Sequence, residues 1–109
     1  MRDEFIRVAF NECDLIHIPT LVVQTPTIEY STTGTAAEVL AKVSRLTHAT
    51  RAINYLGLPA MSIPVGFTNA GLPIAMQLVG RPFDEITLLN VADKYQGQED
   101  WHSRVPSLY

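Results

Sequence analysis

Apolar positions along the chain follow two periods. Phe5, Val8, Ala9 and Cys13 recur at three- and four-residue steps, which predicts a short amphipathic helix over residues 2–13. Leu15-Ile-His-Ile18 is a brief apolar run stopped by Pro19, the form of a strand. The segment from Thr20 to Gly34 is rich in Ser, Thr and Pro and has no period, so it reads as a long connection of the kind that carries function. Thr35-Ala-Ala-Glu38 then has the form of a capping box, in which the threonine accepts from a free N–H and the glutamate reaches back to the cap's own N–H. Ala36, Leu40, Val43, Leu46, Thr47, Thr50 and Ile53 extend one stripe from there, predicting a single helix to about Leu56 that is ended by Gly57 and Pro59.

The second half changes period. Ala60–Val65 and Ile74–Val79 are short apolar runs, each introduced by Gly-Leu-Pro and each followed by glycine. They predict two neighbouring strands joined through Thr68-Asn69-Ala70-Gly71, where Asn and Gly tolerate positive φ. Pro64 lacks a ladder donor and marks an edge or a bulge. The second run lacks polar alternation, as a strand covered on both faces does, and within it only Gln77 needs a polar partner. Asp84 is placed to cap a last helix whose buried side is Leu88, Val91, Ala92 and Tyr95, with Gly97 closing it. A tail with Trp101 and Pro106 is expected to lie over the surface. Helix, strand, helix, two strands and helix make an α/β layer structure, and residues 1–109 read as one domain.

Composition narrows the function classes. Hydrophobic residues make up 47% of the 109 and charged residues 17%, enough apolar material for a core. The net charge is −3, and Arg2, Arg7, Lys42, Arg45, Arg51, Arg81, Lys94 and Arg104 are scattered, so no basic stripe for nucleic acid exists. The one cysteine, Cys13, has no partner for an internal disulfide, which fits a reducing cytoplasm. No apolar run approaches the ~20 residues of a membrane helix, and acids stand where a signal peptide would be basic and apolar.

No set of residues announces chemistry by itself. Cys13 and His17 are separated by the entry to a strand, and a small buried thiol is the commoner role of a free cysteine. His17, His48 and His102 are too far apart for a zinc spacing, so no metal and no cofactor is expected. The glycines form neither a phosphate loop nor a nucleophile elbow. Ser62 lies in an apolar run, where a hydroxyl bonded to backbone is the ordinary role. Asn54 can brace the helix end or orient a substrate amide. Glu38, Asp84 and Glu85 are accounted for at helix starts.

Asn54-Tyr-Leu-Gly-Leu-Pro-Ala-Met-Ser-Ile-Pro-Val-Gly-Phe67 followed by Gly71-Leu-Pro-Ile-Ala-Met-Gln-Leu-Val-Gly-Arg-Pro-Phe-Asp-Glu85 resembles the C-terminal end of the amidase signature family. Cys13-Asp-Leu-Ile-His-Ile-Pro-Thr20 is similar to that family's Asp-x-Leu-Leu-x-Pro-Thr strand, and Ala92–Pro106 to its closing helix and tail. The resemblance implies a partial amidase-like α/β/α layer, a mixed sheet flanked by helices. It also implies a Ser–Ser–Lys relay that attacks non-peptide amides, with a glycine- and serine-rich loop stabilising the oxyanion. That relay belongs to the N-terminal part of a much longer chain. No Gly-Gly-Ser-Ser loop or matching lysine motif occurs here, so no catalytic residue is carried over.

What carries over is the far wall of a substrate cavity, for which Thr20, Thr47 and Asn54 are the candidates. Amidotransferase-type members carry an acidic residue shortly before the Asn. The stretch Arg45–Arg51 has Thr47 and His48 there, which leans toward a small-amide hydrolase. The expected function is thus a truncated C-terminal portion of an amidase, inactive alone. The alternatives are a subunit that completes a site with a complementary chain, and a non-catalytic binding module. Strand edges exposed by the missing part predict a homo-oligomer, most simply a twofold dimer.

Overall fold

Strands β2 (Ala60–Phe67) and β3 (Pro73–Gly80) form an antiparallel hairpin in the computed structural model, which describes residues 1–105. The turn closes as its residues predict: Gly71 has φ 79°, and the Thr68 hydroxyl accepts from the Leu72 N–H at 3.1 Å. The register slips between Pro64 and Gly66, so the proline does mark a bulge, and β2 is an edge strand. Strand β1 (Leu15–Pro19) pairs antiparallel with the other side of β3, giving the order β1-β3-β2.

Alternation along β3 divides the interior into two clusters. Leu78 faces helix α5 (Glu85–Gln96), where Ile63, Leu88 and Ala92 are buried with it and Leu15, Met61, Met76 and Tyr95 pack around them. Val79 faces the opposite way and is fully buried with Phe10, Ile53, Leu56 and Leu58, joined by Ile16. That second cluster is built by helix α1 (Arg2–Ala9) and the end of helix α4 (His48–Leu56). Helices thus flank the sheet on both faces, the expected α/β arrangement.

The link from β3 to α5 is tight. A Cβ on Gly80 would stand 3.2 Å from Leu88 Cγ and 3.4 Å from the Asp84 carbonyl, so any larger residue would press the Leu88 side chain back by a few tenths of an ångström. The chain then reverses through Arg81-Pro82-Phe83-Asp84. The Asp84 N–H bonds the Arg81 carbonyl at 3.1 Å, and Phe83 adopts φ 63°, where a turn of this kind usually has glycine. Arg81 donates to the carbonyls of Phe10 and Cys13 at 2.9 and 3.1 Å and covers the Phe10 ring, tying the α1–β1 connection to this corner.

Several elements depart from expectation. Helix α1 ends at Ala9 rather than Cys13. Phe10 leaves helical geometry (φ −105°, ψ 23°) and drops its ring into the core at 2% exposure, while Val8 stays 62% exposed. The long connection contains a short helix, α2 (Ile28–Thr32), because the Thr27 hydroxyl accepts from the Tyr30 N–H and caps it. The single helix predicted to Leu56 is two. Helix α3 (Ala36–Leu46) stops at Thr47, whose φ −95° and ψ 7° bend the axis before α4 begins. Gly57 ends α4 in the left-handed region as expected, at φ 62°. Asp84 does not cap the backbone of α5; its carboxylate accepts from the Thr87 hydroxyl at 2.8 Å instead. Trp101 packs its ring 6.2 Å from that of Phe67, whereas Pro106 lies outside the described residues.

The bend at Thr47 leaves α3 without a core to cover. No residue of α2 or α3 is buried, and Leu40 and Val43 remain 67% and 43% exposed. The two helices hold one another through Lys42, whose ammonium donates to the Tyr30 and Thr33 carbonyls at 2.9 and 2.8 Å and sits over the Tyr30 ring. They form an arm beside the sheet. The accessible surface is 8106 Å², against roughly 6,000 Å² for a compact chain of this mass.

The capping box of α3 is present as predicted, with the Thr35 N–H donating to Glu38 at 2.7 Å and the Thr35 hydroxyl at 2.9 Å. The backbone bond, then the hydroxyl bond, hold the Glu38 carboxyl below its ordinary 4.5, with Lys42 adding to them. A lowered carboxyl pKa means that its stabilisation is complete above 4.5 and is lost as the pH falls through the folded value. An NMR pH titration is expected to show the first turn of α3 fraying on acidification, and Glu38→Gln, which leaves no carboxyl to titrate there, to remove that transition.

Candidate functional site

The sheet face that bears Val79 is covered only at one end, and the uncovered end carries the polar groups. Ile18, Gln77 and Ser62 are in register across the three strands. Beyond Pro19 the ladder continues by one bond, from the Thr20 N–H to the Ala75 carbonyl at 3.1 Å, which holds Thr20 over β3. From there its hydroxyl reaches the Ser62 hydroxyl at 3.0 Å. Ser62 therefore bonds a side chain and not the backbone as expected, because the small Ala75 lies between the two strands on this face. Gln77 is 3% exposed, and its amide N–H donates to the Pro19 carbonyl at 3.5 Å, the polar partner that its position demanded.

Beside Thr20 opens a cleft of about 280 Å³, walled by Thr20, Val22, Thr25, Thr68, Pro73 and Ile74. Its surface is mainly apolar with three hydroxyls, and no titratable group lines it. Such a cleft can hold an apolar chain and orient a polar atom through hydrogen bonds, but it supplies no proton donor or base. Lys42 cannot stand in as a base, since its ammonium is committed to two carbonyls and a ring. Among the described residues no cluster of His, Cys, Asp and Glu could hold a metal ion.

Of the three sequence candidates, Thr20 lies on this cleft. Thr47 and Asn54 do not line it. Thr47 is the exposed bend between α3 and α4, and its hydroxyl accepts from the Arg51 guanidinium at 2.8 Å. Asn54 is exposed near the end of α4 and contributes its backbone carbonyl to the Gly57 N–H. Sequence reasoning misses the pairing of Ser62 with Thr20. The signal was available in part, since a hydroxyl in the middle of an apolar strand needs a partner. It also misses a second cleft of about 450 Å³ between Phe67, Trp101 and Arg104, where the guanidinium lies 5.1 Å from one ring centre and 5.7 Å from the other.

Comparison with known proteins bears on this geometry. A family profile described as Amidase matches residues 1–89. A glutamyl-tRNA(Gln) amidotransferase subunit of Methylococcus capsulatus is 44% identical over 104 residues, covering 95% of this chain and 20% of that protein. The protein of the same name from Chloroflexus aggregans is 44% identical over 91% of the chain and 19% of its own length. The chain thus spans about a fifth of the curated relatives it matches. Among solved structures, 6-aminohexanoate cyclic dimer hydrolase complexed with substrate superposes on 98% of the chain with a TM-score of 0.83 at 31% identity, using 24% of its own chain.

Side-chain roles on the open face are separable by stability. Because water reaches Ser62, Thr20→Val is expected to change the unfolding free energy by less than about 0.5 kcal/mol. Gln77→Leu loses the 3.5 Å bond to the Pro19 carbonyl, which water can reach, and is expected to cost about 0.5–1.5 kcal/mol in urea denaturation.

Proposed function

This chain belongs to the amidase family, and from that premise we propose that it acts as the C-terminal portion of an amidase-type hydrolase of non-peptide amides. The observation that carries this reading is that nearly the whole chain recurs, at a TM-score of 0.83, inside 6-aminohexanoate cyclic dimer hydrolase. Its part is to supply one wall of a substrate cavity. Thr20 and its cleft offer apolar contact and a hydroxyl. Thr47 and Asn54 are exposed, and so are free to face whatever packs against α4.

The chemistry then comes from elsewhere. Acyl transfer needs an activated nucleophile, a base within hydrogen-bond reach and donors aimed at the oxyanion. The hydroxyl pair closest to that pattern is Thr20–Ser62, and no described hydrogen bond links it to a lysine or histidine. Alone, the 109-residue chain is a substrate wall without a reaction centre, and no cofactor enters the scheme.

A second reading has its own support. The two sequence relatives are amidotransferase subunits, at higher identity than the hydrolase. That weighs against the lean toward a small-amide hydrolase drawn from Thr47 and His48. In this reading the chain completes a site with a complementary amidase-family chain. Under either reading it works in the cytoplasm as one domain. Its uncovered surface favours self-association into a homo-oligomer when no partner is present.

An ammonia-release assay of the purified chain over a panel of aliphatic and aromatic amides tests the proposal. Release at the rate of buffer alone is expected. Turnover that scales with protein concentration would contradict it.

A further inference from the structure

Among the described residues the sheet has two free edges, and backbone direction makes them unequal. Thr20 donates inward to Ala75, so by alternation Ile16 and Ile18 also turn their N–H and C=O toward β3. The outward groups of β1 are therefore the N–H of Leu15 and His17 and the carbonyls of Leu15, His17 and Pro19. On the other edge Gly80 donates to Pro59, so Ala60, Ser62 and Pro64 are the outward residues of β2. Pro64 has no N–H to offer, and the bulge follows at once. A proline and a bulge are the usual protection of an edge strand. β1 lacks such protection: it has no bulge, no charged residue between Leu15 and Pro19, and its own proline comes last.

We propose that two copies of this chain pair through β1, antiparallel about a twofold axis at His17, to make one continuous sheet of double width. The outward pattern is self-complementary about that residue. His17 and His17 of the second copy exchange both N–H···O bonds. The Leu15 N–H of each copy meets the carbonyl of Pro19 in the other, whose second lone pair is free beside the Gln77 bond. No outward donor is left over, and the absent proline N–H falls where only an acceptor is required. Ile16 then stands opposite Ile18 of the second copy on each side of the axis, at the closer, non-hydrogen-bonded positions where apolar side chains touch. Shifting the pairing by one residue would break this match, so the register follows from the pattern.

The proposal rests on the self-association offered above and assigns it a location. Light scattering of the purified chain is expected to give twice 12.1 kDa at micromolar concentration. Amide exchange on that sample is expected to show the His17 and Leu15 N–H groups slowed by at least about tenfold relative to dilute protein, with Ala60 unchanged. His17→Pro removes the central donor without touching the β1–β3 ladder and is expected to yield a folded monomer; Ala60→Pro, on the other edge, is expected to leave the dimer intact. A mass of 12.1 kDa at every concentration would overturn both the self-association and its location. A dimer whose His17 amide exchanges freely, or one that survives His17→Pro, would overturn the location alone. If His17→Pro fails to fold, exchange in the unaltered chain still decides.

Discussion

Leu78 and Val79 are consecutive, so the pleat of β3 sends them to opposite faces, where neither is more than 2% exposed. Each closes a different cluster, one under α5 and one under α1 and α4. Because β3 is also the middle strand, both its backbone edges are paired. A slip of one residue would exchange the two faces, placing Gln77 under α5 and Leu78 among residues suited to Val79. The register is therefore held by apolar pairing on both faces and by Gln77, which has a partner only where β1 ends. The corner after β3 belongs to the same constraint: Gly80 lets α5 close on the sheet, and Arg81 fastens the chain that leads into β1.

Away from that strand the structure thins. The arm of α2 and α3 contributes nothing buried, and the radius of gyration of 16.3 Å compares with about 13 Å for a compact chain of this length. Surface of this kind is not stabilised from within. Its exposed Leu40, Val43 and Ile28, like the open face beside Thr20, suit a chain whose relatives are about five times as long. Under the proposed function labour divides in the same way, with one cavity wall here and the nucleophile supplied from outside these residues.

Elements that depend on local chemistry are legible in the sequence: the capping box at Thr35 and Glu38, the stop at Gly57, the hairpin turn before Gly71 and the bulge at Pro64. What local pattern does not show is which apolar stripe has something to cover. Leu40 and Val43 share the period of Ile53, yet only Ile53 meets the sheet, because the bend at Thr47 redirects the axis. Phe10 escapes the pattern for the converse reason, as it packs best after leaving the helix that its neighbours define. In the candidate site Thr20 is found through the family motif. Its partnership with Ser62, 42 positions away, depends on the order β1-β3-β2, which no window of sequence contains.

If β3 organises the fold and the α2–α3 arm buries no residue of its own, the two should not open together. Native-state hydrogen exchange across a denaturant series measures this directly. Amides of Met76 to Val79 are predicted to exchange only through global unfolding, while those of Val39 to Leu46 exchange through a local opening that denaturant hardly affects. Equal protection of the arm and β3, merging into a single unfolding isotherm, would contradict the account.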